Sequence, residues 1–126
     1  MFTYPQSLNP TSFGGANVAK SFDLVTINAY RSLSSVAAEA TTTPHTLTVS
    51  HQQSGTSLVT DRHLARLDKT FTDPVKGPVT LSAYVVLSVP RGTTVVTLQE
   101  IKDMIGRLIA FEQQAGGLDK LLNNEP

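Results

Sequence analysis

The stretch HTLTVSHQQSGTSLVTDRHLARLD, residues 45–68, contains two runs in which apolar and polar side chains alternate. Successive side chains of an extended chain point to opposite faces, so each run predicts a strand with two chemically different sides. In His45–Gln52, Leu47 and Val49 share one face, and Thr46, Thr48, Ser50 and Gln52 share the other. A turn is expected around Ser54, Gly55 and Thr56. The second run, Leu58–Phe71, sets Ala65, Leu67 and Phe71 on one face and Arg62, Leu64, Arg66 and Asp68 on the opposite one. The polar positions hold hydroxyls, amides and guanidinium groups rather than the usual Lys and Glu.

Downstream, Thr72-Asp73-Pro74-Val75-Lys76-Gly77-Pro78 reads as an irregular, exposed connection, because prolines and glycine break ladder pairing. Val79–Val89 alternates most cleanly. Val79, Leu81, Ala83, Val85, Leu87 and Val89 face one way, and Thr80, Ser82, Tyr84, Val86 and Ser88 the other, before Pro90, Arg91 and Gly92 end the run.

The period then changes. Thr97-Leu98-Gln99-Glu100 matches a capping box, in which hydroxyl and carboxylate satisfy each other's orphan backbone N–H groups. Leu98, Ile101, Met104, Ile105, Leu108 and Phe111 follow at helical spacing, a stripe wide enough to lie on a sheet. Gly116 and Gly117 are expected to stop this helix, and Leu118–Leu122 to form a short second one. Gly106 in the helix interior costs about 1 kcal/mol against Ala, which points to a close neighbour there.

Upstream, a turn at Gly14, Gly15, Ala16 and Asn17 predicts an N-terminal hairpin, followed by strand-like segments at Ser21–Asn28 and Ser32–Glu39. Ala40 to Pro44 should be a loop, since Pro44 removes a ladder donor and biases Thr43 towards extended geometry.

At 126 residues the chain is sized for one domain, residues 1–126, mainly β over 1–92 and helical over 97–122. Ten Lys plus Arg balance ten Asp plus Glu, which argues against a generic polyanion or membrane-surface binder while leaving room for a local basic face. The absence of cysteine excludes disulfides, thiolate metal sites and thiol catalysis. The opening MFTYPQSLNP lacks the basic and apolar regions of a secretory signal, and no apolar run approaches the roughly 20 residues that span a bilayer. The expectation is a soluble protein that stays where it is made.

Together these segments predict an α+β fold: an antiparallel sheet of five to six strands with an N-terminal hairpin, then one long and one short C-terminal helix packed on one sheet face. One long helix covers so wide a sheet only in part. Helices of a second subunit could complete the cover, predicting an intertwined dimer whose sheets join edge to edge and whose polar face stays free.

The order of a turn at FGGAN, the strand HTLTVSHQQS, the charged strand RHLARLD, a Pro/Gly loop, the strand LSAYVVLSVP and the helix TLQEIKDMIGRLIAFEQQ resembles the coat proteins of small single-stranded RNA bacteriophages. The resemblance spans nearly the whole chain and is most specific over residues 45–111. It implies a clasped homodimer, assembly into an icosahedral shell in the bacterial host cytoplasm and then the virion, and contact of the inner sheet face with a genomic RNA hairpin. Thr48 and Ser50 fall where the family places adenine-pocket hydroxyls. Thr46 and Gln52 stand where some members have basic residues, Arg66 and Asp68 resemble a basic and acidic pair on the neighbouring strand, and Ser82 and Tyr84 come from the last strand. With Arg62, these nine residues are the expected RNA-binding set. Ile101, Met104, Ile105, Leu108 and Phe111 are the expected dimer interface. Asp73, Pro74, Val75, Lys76, Gly77 and Pro78 form the expected inter-dimer loop, which here lacks the cysteines that link coat proteins in some members. No cofactor and no membrane partner are implied.

Other readings stand beside this one. Thr and Ser alternating with aliphatics is commonly just a solvated sheet face. A cellular dimeric α+β module with a small-ligand site on its polar face fits the same pattern. His45, His51 and His63 lack HxH or HExxH spacing, and His51 and His63 fall on the apolar parity of their strands, so half-buried hydrogen-bonded histidines are expected and no metal. An enzyme using His51 or His63 with Asp61 or Asp68 has no G-x-S-x-G elbow and no Gly-rich phosphate loop to support it, and none is expected.

Overall fold

The computed structural model describes residues 2–9, 18–54 and 59–123; the expected turns at Gly14–Asn17 and at Gly55 and Thr56 lie outside them. The chain divides into two compact units, one built from Met1–Asn9 with Ala19–Arg91 and the other from Pro10–Val18 with Gly92–Pro126.

The first unit is a six-stranded antiparallel meander: β1 Gln6–Leu8, β2 Lys20–Ile27, β3 Arg31–Ser35, β4 His45–Ser54, β5 Thr60–Asp73 and β6 Gly77–Pro90. Strands are neighbours in space in the order they occur in sequence, as short connections require. The expected N-terminal hairpin is the β1–β2 pair, with Gln6 opposite Phe22. β2 is bulged between Leu24 and Thr26. The Asn28 side chain accepts from the N–H groups of Tyr30 and Arg31 at 3.0 and 2.8 Å and so builds the β2–β3 turn.

Two segments differ from their sequence reading. The strand expected over Ser32–Glu39 stops at Ser35, and the next residues turn: Glu39 N donates to Val36 O, and the Glu39 carboxylate takes both Lys20 and Lys69 at 3.1 and 3.0 Å. The six residues Asp73–Pro78 are not an irregular loop either. Asp73 closes β5, Gly77 and Pro78 open β6, and only Pro74–Lys76 turn. Asp73 Oδ1 accepts from the N–H groups of Val75 and Lys76, both at 2.8 Å, and Gly77 adopts φ 79°, which costs a glycine nothing. Pro78 is tolerated because β6 is an edge strand.

The core of this unit lies under β1–β4. Phe22 and Val36 are its buried apolar residues; Ser34 is fully enclosed, and Ser32 bonds Tyr4 Oη at 2.7 Å. Phe22 meets His45 edge-on, ring centres 4.9 Å apart. The apolar face of β5 and β6 is open by contrast: Phe71, Val79, Leu81 and Val85 are all exposed, Leu81 to 65%.

The second unit holds α1, Leu98–Glu112, and α2, Gly117–Leu122. The Thr97 hydroxyl accepts from Glu100 N at 3.2 Å, the hydroxyl half of the expected capping box. The helix ends at Glu112, before the glycines expected to stop it. Gly116, at φ 70°, instead supplies the left-handed residue that starts α2. No residue of α1 is buried, and Leu98, Met104, Leu108 and Phe111 are at least half exposed. Nothing lies within 4 Å of a Cβ built at Gly106, so the expected close neighbour is not supplied by the described residues of this chain.

Candidate nucleic-acid interface

Residues directly opposite in an antiparallel pair point to the same face. The register sets Thr46 opposite Asp68, Thr48 opposite Arg66, Ser50 opposite Leu64 and Gln52 opposite Arg62. The β5–β6 ladder continues each row, pairing Asp68 with Ser82, Arg66 with Tyr84, Leu64 with Val86 and Arg62 with Ser88. All nine residues predicted from sequence therefore share one face of β4–β6. Arg31, opposite Ser50 on β3, joins the same face and escaped the sequence reading, because Arg31–Ser35 alternates serine with arginine and leucine and so shows no clean polar side.

The face has depth. Thr48 is its floor, only 9% exposed, with Thr46 and Ser50 half-buried beside it. Tyr84 stands out at 65% exposure, and Gln52, Arg62 and Arg66 are also exposed. At the centre, Arg66 Nε sits 2.9 Å from the Asp68 carboxylate, Ser82 Oγ donates to Asp68 Oδ1, and Arg66 Nη2 lies 3.3 Å from Ser82 Oγ. The Ser82 hydroxyl, and then the Arg66 guanidinium, hold the Asp68 carboxyl below the usual aspartate range against the opposing effect of burial. The surface offers cationic donors, hydroxyls and one free aromatic ring within a few side chains of each other.

The histidines lie on the other face. His51 and His63 are paired across β4 and β5 and share a hydrogen bond, Nδ1 to Nδ1 2.8 Å, although His51 is exposed rather than half-buried. His45 departs from the expectation in another way: its buried Nδ1 has no hydrogen-bond partner. Burial, and next the nearby Lys69, push its pKa below the ordinary histidine value. Asp61 is held by Arg91 through a 2.9 Å bond from Nε, and Asp68 faces away from both His51 and His63. Among the described residues no group of three or more His, Asp or Glu side chains is arranged to hold a metal. Two open concavities, of about 330 and 590 Å³, are lined by residues such as Tyr4, Tyr30, Asn28 and His51 in the first and His51, Gln53, Asp61 and His63 in the second. The second also takes in Gln52 and Arg62 of the polar face. Among the described residues no helix is long and apolar enough to cross a membrane.

A sequential six-stranded meander with a long free edge, followed by a long and a short helix, is the architecture of the levi-like phage coat proteins. Of the solved structures with this fold, a virus-like particle of bacteriophage ESE020 aligns over 98% of this chain and 99% of its own, with a TM-score of 0.73 at 16% identity. The coat protein of bacteriophage EMS014 aligns over 88% and 72% at a TM-score of 0.65 and 17% identity. A virus-like particle of Wenzhou levi-like virus 4 aligns over 69% and 63% at 0.57 and 21%. The likeness is one of fold. No family model and no curated protein matches the sequence.

Proposed function

We propose that this protein is the coat protein of an RNA phage: it forms clasped homodimers that assemble into a closed icosahedral shell, binds single-stranded genomic RNA on the polar face of β4–β6, and resides in the virion. The observation that carries this reading is the end-to-end fold match with a chain that forms a virus-like particle.

The clasped dimer is supported by what the protomer leaves uncovered. β6 is fourteen residues long and has a neighbour on one side only. A long apolar edge of this kind pairs with another chain or aggregates. The exposed apolar face of β5–β6 and the exposed α1 stripe need cover of matching chemistry, and a second copy supplies both at once. Ile101, Met104, Ile105, Leu108 and Phe111 then meet the partner, and the open surface at Gly106 admits a close approach. Val75, 92% exposed at the tip of the Pro74–Lys76 turn, suits a contact with neighbouring dimers.

RNA binding rests on the composition of the polar face. Exposed Arg31 and Arg62 suit phosphates, hydroxyls and amides suit base edges, and Tyr84 suits stacking of an unpaired base. The test is to express the protein alone, purify the assembled fraction, treat it with ribonuclease and extract what survives. Protected single-stranded RNA is expected inside the particles. Particles that hold none, together with dimers that bind no RNA hairpin at low salt, would contradict the RNA part of the reading.

A further inference from the structure

The Arg66, Asp68 and Ser82 cluster has a consequence beyond attraction to RNA. A guanidinium has five N–H donors in a rigid planar fork. Asp68 occupies the Nε donor and Ser82 lies against Nη2, which fixes the plane of the group and leaves the outer Nη1–Nη2 edge without a partner among the described residues. That edge presents two parallel N–H bonds. The adjoining carboxylate cancels the charge of Arg66 locally and repels phosphate, yet leaves the fork geometry intact. A charge-compensated, pre-set fork loses most as a phosphate clamp and little as a reader of paired acceptors on a base. Guanine O6 and N7 are such a pair. Tyr84, opposite Arg66 in the register and 65% exposed, offers a ring beside the fork on which that base can stack.

We infer that Asp68 and Ser82 are positioning residues which pre-set the guanidinium of Arg66 to read the O6/N7 edge of one unpaired guanine. The inference rests on the RNA reading above and assigns base selectivity within it. Removing the negative charge of Asp68 then weakens discrimination, although simple electrostatics says that it strengthens binding to a polyanion.

The probes are RNA hairpins with one common stem and an all-adenosine loop, into which a single guanosine is placed at each loop position in turn, titrated with the purified dimer. At one position guanosine should tighten binding about tenfold or more. Inosine, which keeps O6 and N7, should retain the gain, and 7-deazaguanosine, which lacks the N7 acceptor, should lose it. Asp68→Asn and Ser82→Ala should each erase most of the guanosine preference. Arg66→Lys, which keeps the charge without the fork, should erase the preference as well. A preference that survives Asp68→Asn and Arg66→Lys, or the absence of any guanosine preference in a dimer that binds the all-adenosine hairpin, overturns the inference alone. A dimer that binds none of the hairpins overturns the RNA reading and this inference with it. Particle formation by each variant shows that it is folded.

Discussion

Tyr84 and Thr48 differ in exposure sevenfold, and that difference separates their roles on one face. If Tyr84 stacks a base, Tyr84→Ala costs about 1–3 kcal/mol of RNA affinity, and almost nothing if the ring only decorates the sheet; fluorescence titration with hairpin RNA distinguishes the two. Arg62 is exposed and shares no ion pair among the described residues. Arg62→Ala should weaken all RNAs alike and flatten the dependence of log K on log salt by about 0.7. His45 titrates with a sign that follows from its surroundings. Its pKa is pushed down chiefly by burial, so the folded chain favours the neutral ring. The unfolded chain takes up a proton first as pH falls below about 6.5. The stability from His45 is therefore complete above that value and declines as pH drops towards the lowered folded value. Melting temperatures measured across this range should slope less in His45→Gln than in the parent. An unchanged slope would mean that His45 is not the group responsible.

Among the elements, β4, β5 and β6 were legible because each alternates over eight or more residues, and a period of two assigns every side chain to a face once the register is known. The polar row Thr48, Arg66 and Tyr84 follows from that parity. The bond from Ser82 to Asp68 does not, since it depends on which residues stand opposite. β1 is three residues without alternation, so its bounds could not be read, and Ser32 and Ser34 are core residues written in a polar alphabet, so a strand was expected there but not its buried side. The early end of β3 turns on Glu39 reaching two lysines remote in sequence. The compact β5–β6 turn turns on Asp73 capping two backbone N–H groups, whose bonds also hold its carboxyl below the usual range. Helix α1 was legible in its cap and stripe, and that stripe makes a direct prediction. Leu108→Asp places an unpaired carboxylate in the proposed clasp and should destabilise the dimer by on the order of 4 kcal/mol, seen as monomers in sedimentation velocity. A variant that sediments like the parent would remove α1 from the interface. Val75→Ser, at the turn tip, should leave the dimer intact and lower the thermal stability of the shell.

The molecule as a whole has no net charge and no cysteine, so on the proposed reading neither bulk electrostatics nor disulfides would hold the shell together. Within the sheet unit Phe22 and Val36 are buried while the long edge of β6 and the apolar side chains of β5 and β6 are exposed, and the α1 stripe is exposed as well. On the proposed reading, burial of these surfaces between copies is the driving force, and it predicts particles indifferent to reductant. The most direct test of that account is negative-stain electron microscopy of the protein expressed alone and purified without other phage components. Uniform closed spherical shells, unchanged by dithiothreitol, are the predicted result. A stable, monodisperse dimer or monomer that never closes into particles at any concentration or salt would contradict it.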